Sequence, residues 1–148
     1  MKKYLDIVNE VHKSPYKLTI VSSGGGTNAI SALLEVPGAS NTILESHIPY
    51  SKESMNSFLN KKPDHYCSLD TCLNMAANAF KKSKQIDTTS KTKHLLGISI
   101  TANLATTYEK KGDHKFFIVV QAYDYTKYLE CYLDKGKSCL LYTSPSPR

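Results

Sequence analysis

Lys17-Leu18-Thr19-Ile20-Val21-Ser22-Ser23-Gly24-Gly25-Gly26-Thr27-Asn28 is the stretch whose reading decides the fold. Its β-branched run Thr19-Ile20-Val21 predicts a strand over 17–22. Downstream, Ile30, Leu33 and Leu34 recur at helical spacing and predict a helix from about Thr27 to Glu35, stopped by Pro37-Gly38. Between the two lie a pair of serines and three consecutive glycines, while the other four of the seven glycines lie elsewhere in the chain. A strand, a glycine turn and a helix in this order set free backbone N–H groups and the positive helix end around one small cavity. A serine hydroxyl at its rim can serve as phosphate ligand, nucleophile or helix cap, and the residues alone leave all three open.

Working outward, Tyr4, Ile7, Val8 and Val11 fall on one face of a helix over 3–13, ended by Ser14-Pro15. Thr42 to His47 reads as a strand. Ser51 is suited to cap a short helix over about 52–60, with Met55, Phe58 and Leu59 inward. Ser68 is suited to cap the longest helix, about 69–84, whose stripe Leu69, Cys72, Leu73, Ala76 and Phe80 faces a core. Residues 85–93 are polar and predict a surface loop. Leu95–Thr101 predicts a strand, 102–115 a long loop, 116–122 a buried central strand and 125–133 an antiparallel neighbour. Helices interleaved with strands make this an α/β fold, a layered sheet with helices packed on its faces.

The chain has 148 residues, enough for one domain with a real core. It has no apolar run near ~20 residues and its start lacks the apolar block of a secretory signal, so no membrane partner and a cytoplasmic setting are expected. The net charge of +6 comes from scattered lysines, with arginine only at Arg148. That pattern is a solvated surface that favours small anions, and it lacks the arginine forks of nucleic-acid readers. Cys67, Cys72, Cys131 and Cys139 form no Cys-x-x-Cys pair, so no metal site is expected. Cys67 and Cys72 flank a helix start and read as reduced.

The series Val21-Ser22-Ser23-Gly24-Gly25-Gly26-Thr27, then Leu33-Leu34-Glu35-Val36-Pro37-Gly38-Ala39-Ser40, then Ile48-Pro49-Tyr50-Ser51, resembles the CinA carboxy-terminal domain, the nicotinamide-nucleotide amidase family. Tyr66-Cys67-Ser68 before a helix and the strand from Gly97 to Ala102 fall where that family has its later motifs. The resemblance covers about residues 3–123 and is nearer to a divergent eukaryotic branch, in which the domain is often joined to a nucleotidylyltransferase-like domain. The tail 138–148 instead resembles translated sequencing-adapter read-through. The reading is therefore a CinA-like domain over 1–137, cut near its end, followed by an artefactual or disordered tail outside the fold.

The family implies deamidation of nicotinamide mononucleotide, without a cofactor, and assembly into a homo-oligomer. Carried over, the nucleophile is Ser23 with Tyr50 beside it. Ser22, Gly24, Gly25, Gly26, Thr27 and Thr101 become substrate-binding positions. An alkoxide at Ser23 would attack the amide carbon while turn N–H groups hold the oxyanion. The family's base, a lysine five residues after the tyrosine, is Met55 here, and a thioether accepts no proton at neutral pH. Its glutamate before the serine is Ser22, and its threonine two after is Gly25. Three readings follow. The first is a pyridine-mononucleotide-binding domain with degenerate amidase chemistry. The second is an active amidase in which Lys52, His47 or His114 replaces the lysine. The third is a structural or oligomerisation domain fused to a nucleotidylyltransferase, with Ser23 and Thr27 as helix caps.

Overall fold

The structure is a computed structural model and describes residues 2–103, 114–132 and 138–145. In chain order the elements are α1 (Lys2–Lys13), β1 (Lys17–Ser23), α2 (Thr27–Glu35), β2 (Ile43–His47), α3 (Lys52–Leu59) and α4 (Leu69–Ile86). β3 (Leu95–Asn103), β4 (Lys115–Gln121), β5 (Tyr125–Tyr132) and β6 (Ser138–Pro145) complete them. The strands form one sheet in the order β2-β1-β3-β4-β5-β6. β1 runs parallel to β2 and β3, and every later pairing is antiparallel.

Two crossovers explain the layers. The connection from β1 to β2 carries α2 and the connection from β2 to β3 carries α3 and α4, as parallel neighbours require. Strand alternation then sorts the side chains. Leu18 and Ile20 of β1 join Ile30 of α2 with Leu96 and Ile100 of β3. Val21, next along the pleat, packs on the other face with Met55 and Leu59 of α3 and Met75 and Ala79 of α4. α1 stacks outside α2 through Val8 against Ala32 and Val36. Its buried His12 ties this layer down, with Nε2 2.9 Å from the Leu33 carbonyl and Nδ1 2.8 Å from the Thr42 hydroxyl.

α4 lies unusually close to the sheet. A Cβ on Gly97 would come 2.7 Å from Phe80 Cα and collide with the α4 backbone, so only glycine lets the helix settle there. Ser51 and Ser68 cap α3 and α4 as expected, accepting from Ser54 N at 3.0 Å and Thr71 N at 3.1 Å. Among the described residues no helix is long and apolar enough to cross a membrane.

Several expectations shift. α4 continues through Ile86 and β3 through Asn103, while the rest of the expected long loop, 104–113, lies outside the described residues. On α1 only Val8 of the expected face is buried, Ile7 being 57% exposed, because α2 is the single layer beneath it. Leu34 is likewise 52% exposed. Within the expected tail 138–148, Ser138–Pro145 forms β6, whose backbone pairs along all of β5. An edge strand exposes a row of unpaired N–H and C=O groups, and a β-prone run that follows it directly meets them. Cys131 is disulfide-bonded and lies opposite Cys139 in that register.

Candidate functional site

The glycine turn is built by close approach. Gly24 has φ +79° and its Cβ would collide with the Ala102 carbonyl oxygen of β3. Gly26 has φ +88° and its Cβ would lie 2.7 Å from Ile100 Cγ2. Left-handed backbone and lack of space each require glycine at both positions. Ser22 is fully buried and its hydroxyl donates to the Gly25 carbonyl, bracing the turn from within. Gly26 itself is the N-cap of α2, with no side-chain cap, so neither Ser23 nor Thr27 fills that role. Thr27 and Asn28 are exposed, and no acidic residue occupies the first turn. The leading N–H groups of a helix have no intrahelical partner and carry its positive end.

Ser23 ends β1 half-buried, and its hydroxyl makes no hydrogen bond among the described residues. Its registered neighbour on β3 is Thr101, whose own neighbour on β4 is Phe117. Thr101 Oγ1 donates at 3.4 Å to the carbonyl of Tyr66, just before α4. The alternation that turns Val21 toward α3 and α4 turns Ser23 and Thr101 the same way. The fold thus brings these two predicted residues together at the carboxyl ends of parallel strands, where open α/β sheets bind ligands. One step further, Asn103 sits opposite Lys115. Both line a cavity of about 600 Å³ with Lys52, Lys62, His65 and Tyr66. Lys62, His65 and Lys115 were not candidates from the sequence. Only the antiparallel return of β4 sets Lys115 beside Asn103, and no local pattern signals it.

The residues proposed for proton transfer are placed less favourably. Met55 is 1% exposed and is a core side chain between Val21 and α4. Tyr50 is 82% exposed, in the link between β2 and α3, with no ring contact or side-chain hydrogen bond among the described residues. His47 turns to its own strand: Nε2 lies 2.5 Å from Glu45 Oε1, not aligned as a hydrogen bond, and its ring rests on Phe58. Lys52 Nζ lies over the Tyr66 ring, 5.7 Å from its centroid. Cys72 is a free thiol closed in by α4 and the sheet, 3.1 Å from Ser99 Oγ, and burial pushes its pKa up to about 12. A buried thiol held protonated is no nucleophile.

A mixed α/β sheet with helices on both faces and polar side chains at the ends of its parallel strands is the class this architecture defines. Within that class the fold is that of the CinA, or competence/damage-inducible, superfamily. The competence/damage-inducible protein CihA from Agrobacterium tumefaciens superposes with TM-score 0.63 at 13% identity, over 96% of this chain and 78% of that one. The competence damage-inducible protein A (ComA) from Klebsiella pneumoniae gives 0.61 at 12%, over 99% and 82%. The competence or damage-inducible protein from Enterobacter asburiae gives 0.57 at 15%, over 99% and 83%. No family model and no curated protein matches the sequence, so the likeness is one of fold.

Proposed function

We propose that this domain binds a pyridine mononucleotide, nicotinamide mononucleotide in the first instance, at the ends of β1 and β3, and that its amidase chemistry is degenerate. The phosphate would meet the uncapped, acid-free start of α2, while Ser23 and Thr101 offer neighbouring hydroxyls. The observation that carries the loss of chemistry is Met55. It stands where the resemblance puts a base, and it is sealed in the core. No hydrogen-bonded acceptor for the Ser23 proton occurs among the described residues, and general-base catalysis is typically worth ~10²–10⁴ in rate. A cytoplasmic site of action fits such a ligand.

The test is calorimetric titration with nicotinamide mononucleotide alongside an ammonia assay, on wild type and Ser23→Ala. Binding with no ammonia release above the Ser23→Ala level is expected. Release by the wild type that vanishes in the variant would establish the active amidase instead. A scaffold reading has its own support, since Gly24 and Gly26 are explained by contact with β3 alone. It would hold if no nucleotide binds. An oligomeric partner or a fused nucleotidylyltransferase domain then becomes the object to seek, by sizing the full-length protein in solution.

A further inference from the structure

The cavity beyond Asn103 is lined by three lysines from three separate parts of the chain. Lys52 comes from the first turn of α3, Lys62 from the link between α3 and α4, and Lys115 from the start of β4. None of them lies within ion-pair distance of a carboxylate among the described residues; Lys52 Nζ lies over the Tyr66 ring and Lys115 Nζ over the Phe117 ring, 6.0 Å from its centroid. Among the described residues Asp64 is the single carboxylate in the lining, so the formal balance of the four charged groups there is positive. Like charges lining one cavity repel, and an anion held among them relieves that cost. Ser68, the N-cap of the 18-residue α4, also lines the cavity, but its hydroxyl already accepts from Thr71 N and Asp70 occupies the first turn, so the lysines supply the positive charge. At about 600 Å³ the space is of the size that small-molecule ligands occupy.

We infer that this cavity is a phosphate site in its own right, holding a small molecule with at least two negative charges through Lys52, Lys62 and Lys115. Lysine binds phosphate as a mobile point charge, which suits a compact polyphosphate more than a planar carboxylate. The site does not depend on Ser23, on the glycine turn or on recognition of a pyridine ring. It therefore stands or falls apart from the mononucleotide reading.

The probe is inorganic pyrophosphate, titrated calorimetrically into the full chain at low and at physiological salt. Wild type is expected to bind it, and Lys52→Gln/Lys115→Gln to lose about tenfold or more in affinity, since each charge-assisted hydrogen bond is substantial. Lys62→Glu, an exposed loop substitution that leaves both other lysines in place, is expected to weaken it as well and covers the case in which the double variant does not fold. No binding by wild type, or equal binding by wild type and Lys62→Glu, overturns the site. Nicotinamide mononucleotide titrated into the same samples separates the two ideas. If it binds where pyrophosphate does not, this site is lost and the mononucleotide reading survives.

Discussion

The two faces of the sheet are held by different physics, although the same strands supply both. Toward α2 the contacts are apolar: Leu18, Ile20, Ile30, Leu96 and Ile100 form one cluster. Toward α4 the same strands add hydroxyls to an apolar cluster of Val21 with Met55, Leu59, Met75 and Ala79. Ser83 of α4 donates to the Leu96 carbonyl at 2.7 Å and lies 2.9 Å from Thr19 Oγ1, and Ser99 donates to the Cys72 carbonyl at 2.7 Å. All of these side chains are buried. Buried hydroxyls contribute only when satisfied, so this face depends on hydrogen-bond geometry as well as volume, and the other on volume. The geometry is made possible by Gly97, which lets the α4 backbone approach β3. Every second residue of β1 and β3 lies on this mixed face, and Ser23 and Thr101 are where it runs out of helix cover. The candidate site is thus the open end of a face that already carries buried hydroxyls.

That contrast can be broken by substitution. The largest effect is expected on the volume side: Ile20→Ala should cost about 2–5 kcal/mol in denaturant unfolding, because a fully enclosed side chain leaves a cavity. A loss under about 1 kcal/mol would show that the α2 face relaxes and is not the close-packed half. Next, Gly97→Ala adds a single methyl group against the α4 backbone and should cost about 1–3 kcal/mol, with α4 displaced. A neutral result would mean that the close approach is dispensable. The smallest effect sharpens the comparison without altering stability. Cys67 is partly exposed and Cys72 buried, so a thiol reagent at mildly alkaline pH should label Cys67 first. Burial raises the Cys72 pKa to about 12, so its thiolate stays scarce until the pH approaches that value or the protein unfolds. Equal labelling rates in the native state would show that α4 opens readily.

Much of this arrangement is legible in local sequence. The Ser51 and Ser68 caps, the stripe on α4 and the β-branched core of β1 are short-range signals, and each names its own element. The glycine turn was legible as a turn. Its second purpose, clearance for Ala102 and Ile100, was not, because those residues lie far along the chain, on another strand. Periodicity also misjudged exposure on α1 and α2, since it reports which residues share a face and not whether another layer covers that face.

The chain's own residues therefore determined the element types, the α/β class and the position of Ser23 beside a tight glycine bend, since each depends on backbone preferences within a few residues. Tertiary structure alone decided that Thr101 stands next to Ser23, that Met55 is sealed under β1 and that Lys52, Lys62 and Lys115 line one cavity. Strand register and helix crossover set those neighbours, and both arise from packing between segments far apart in the chain.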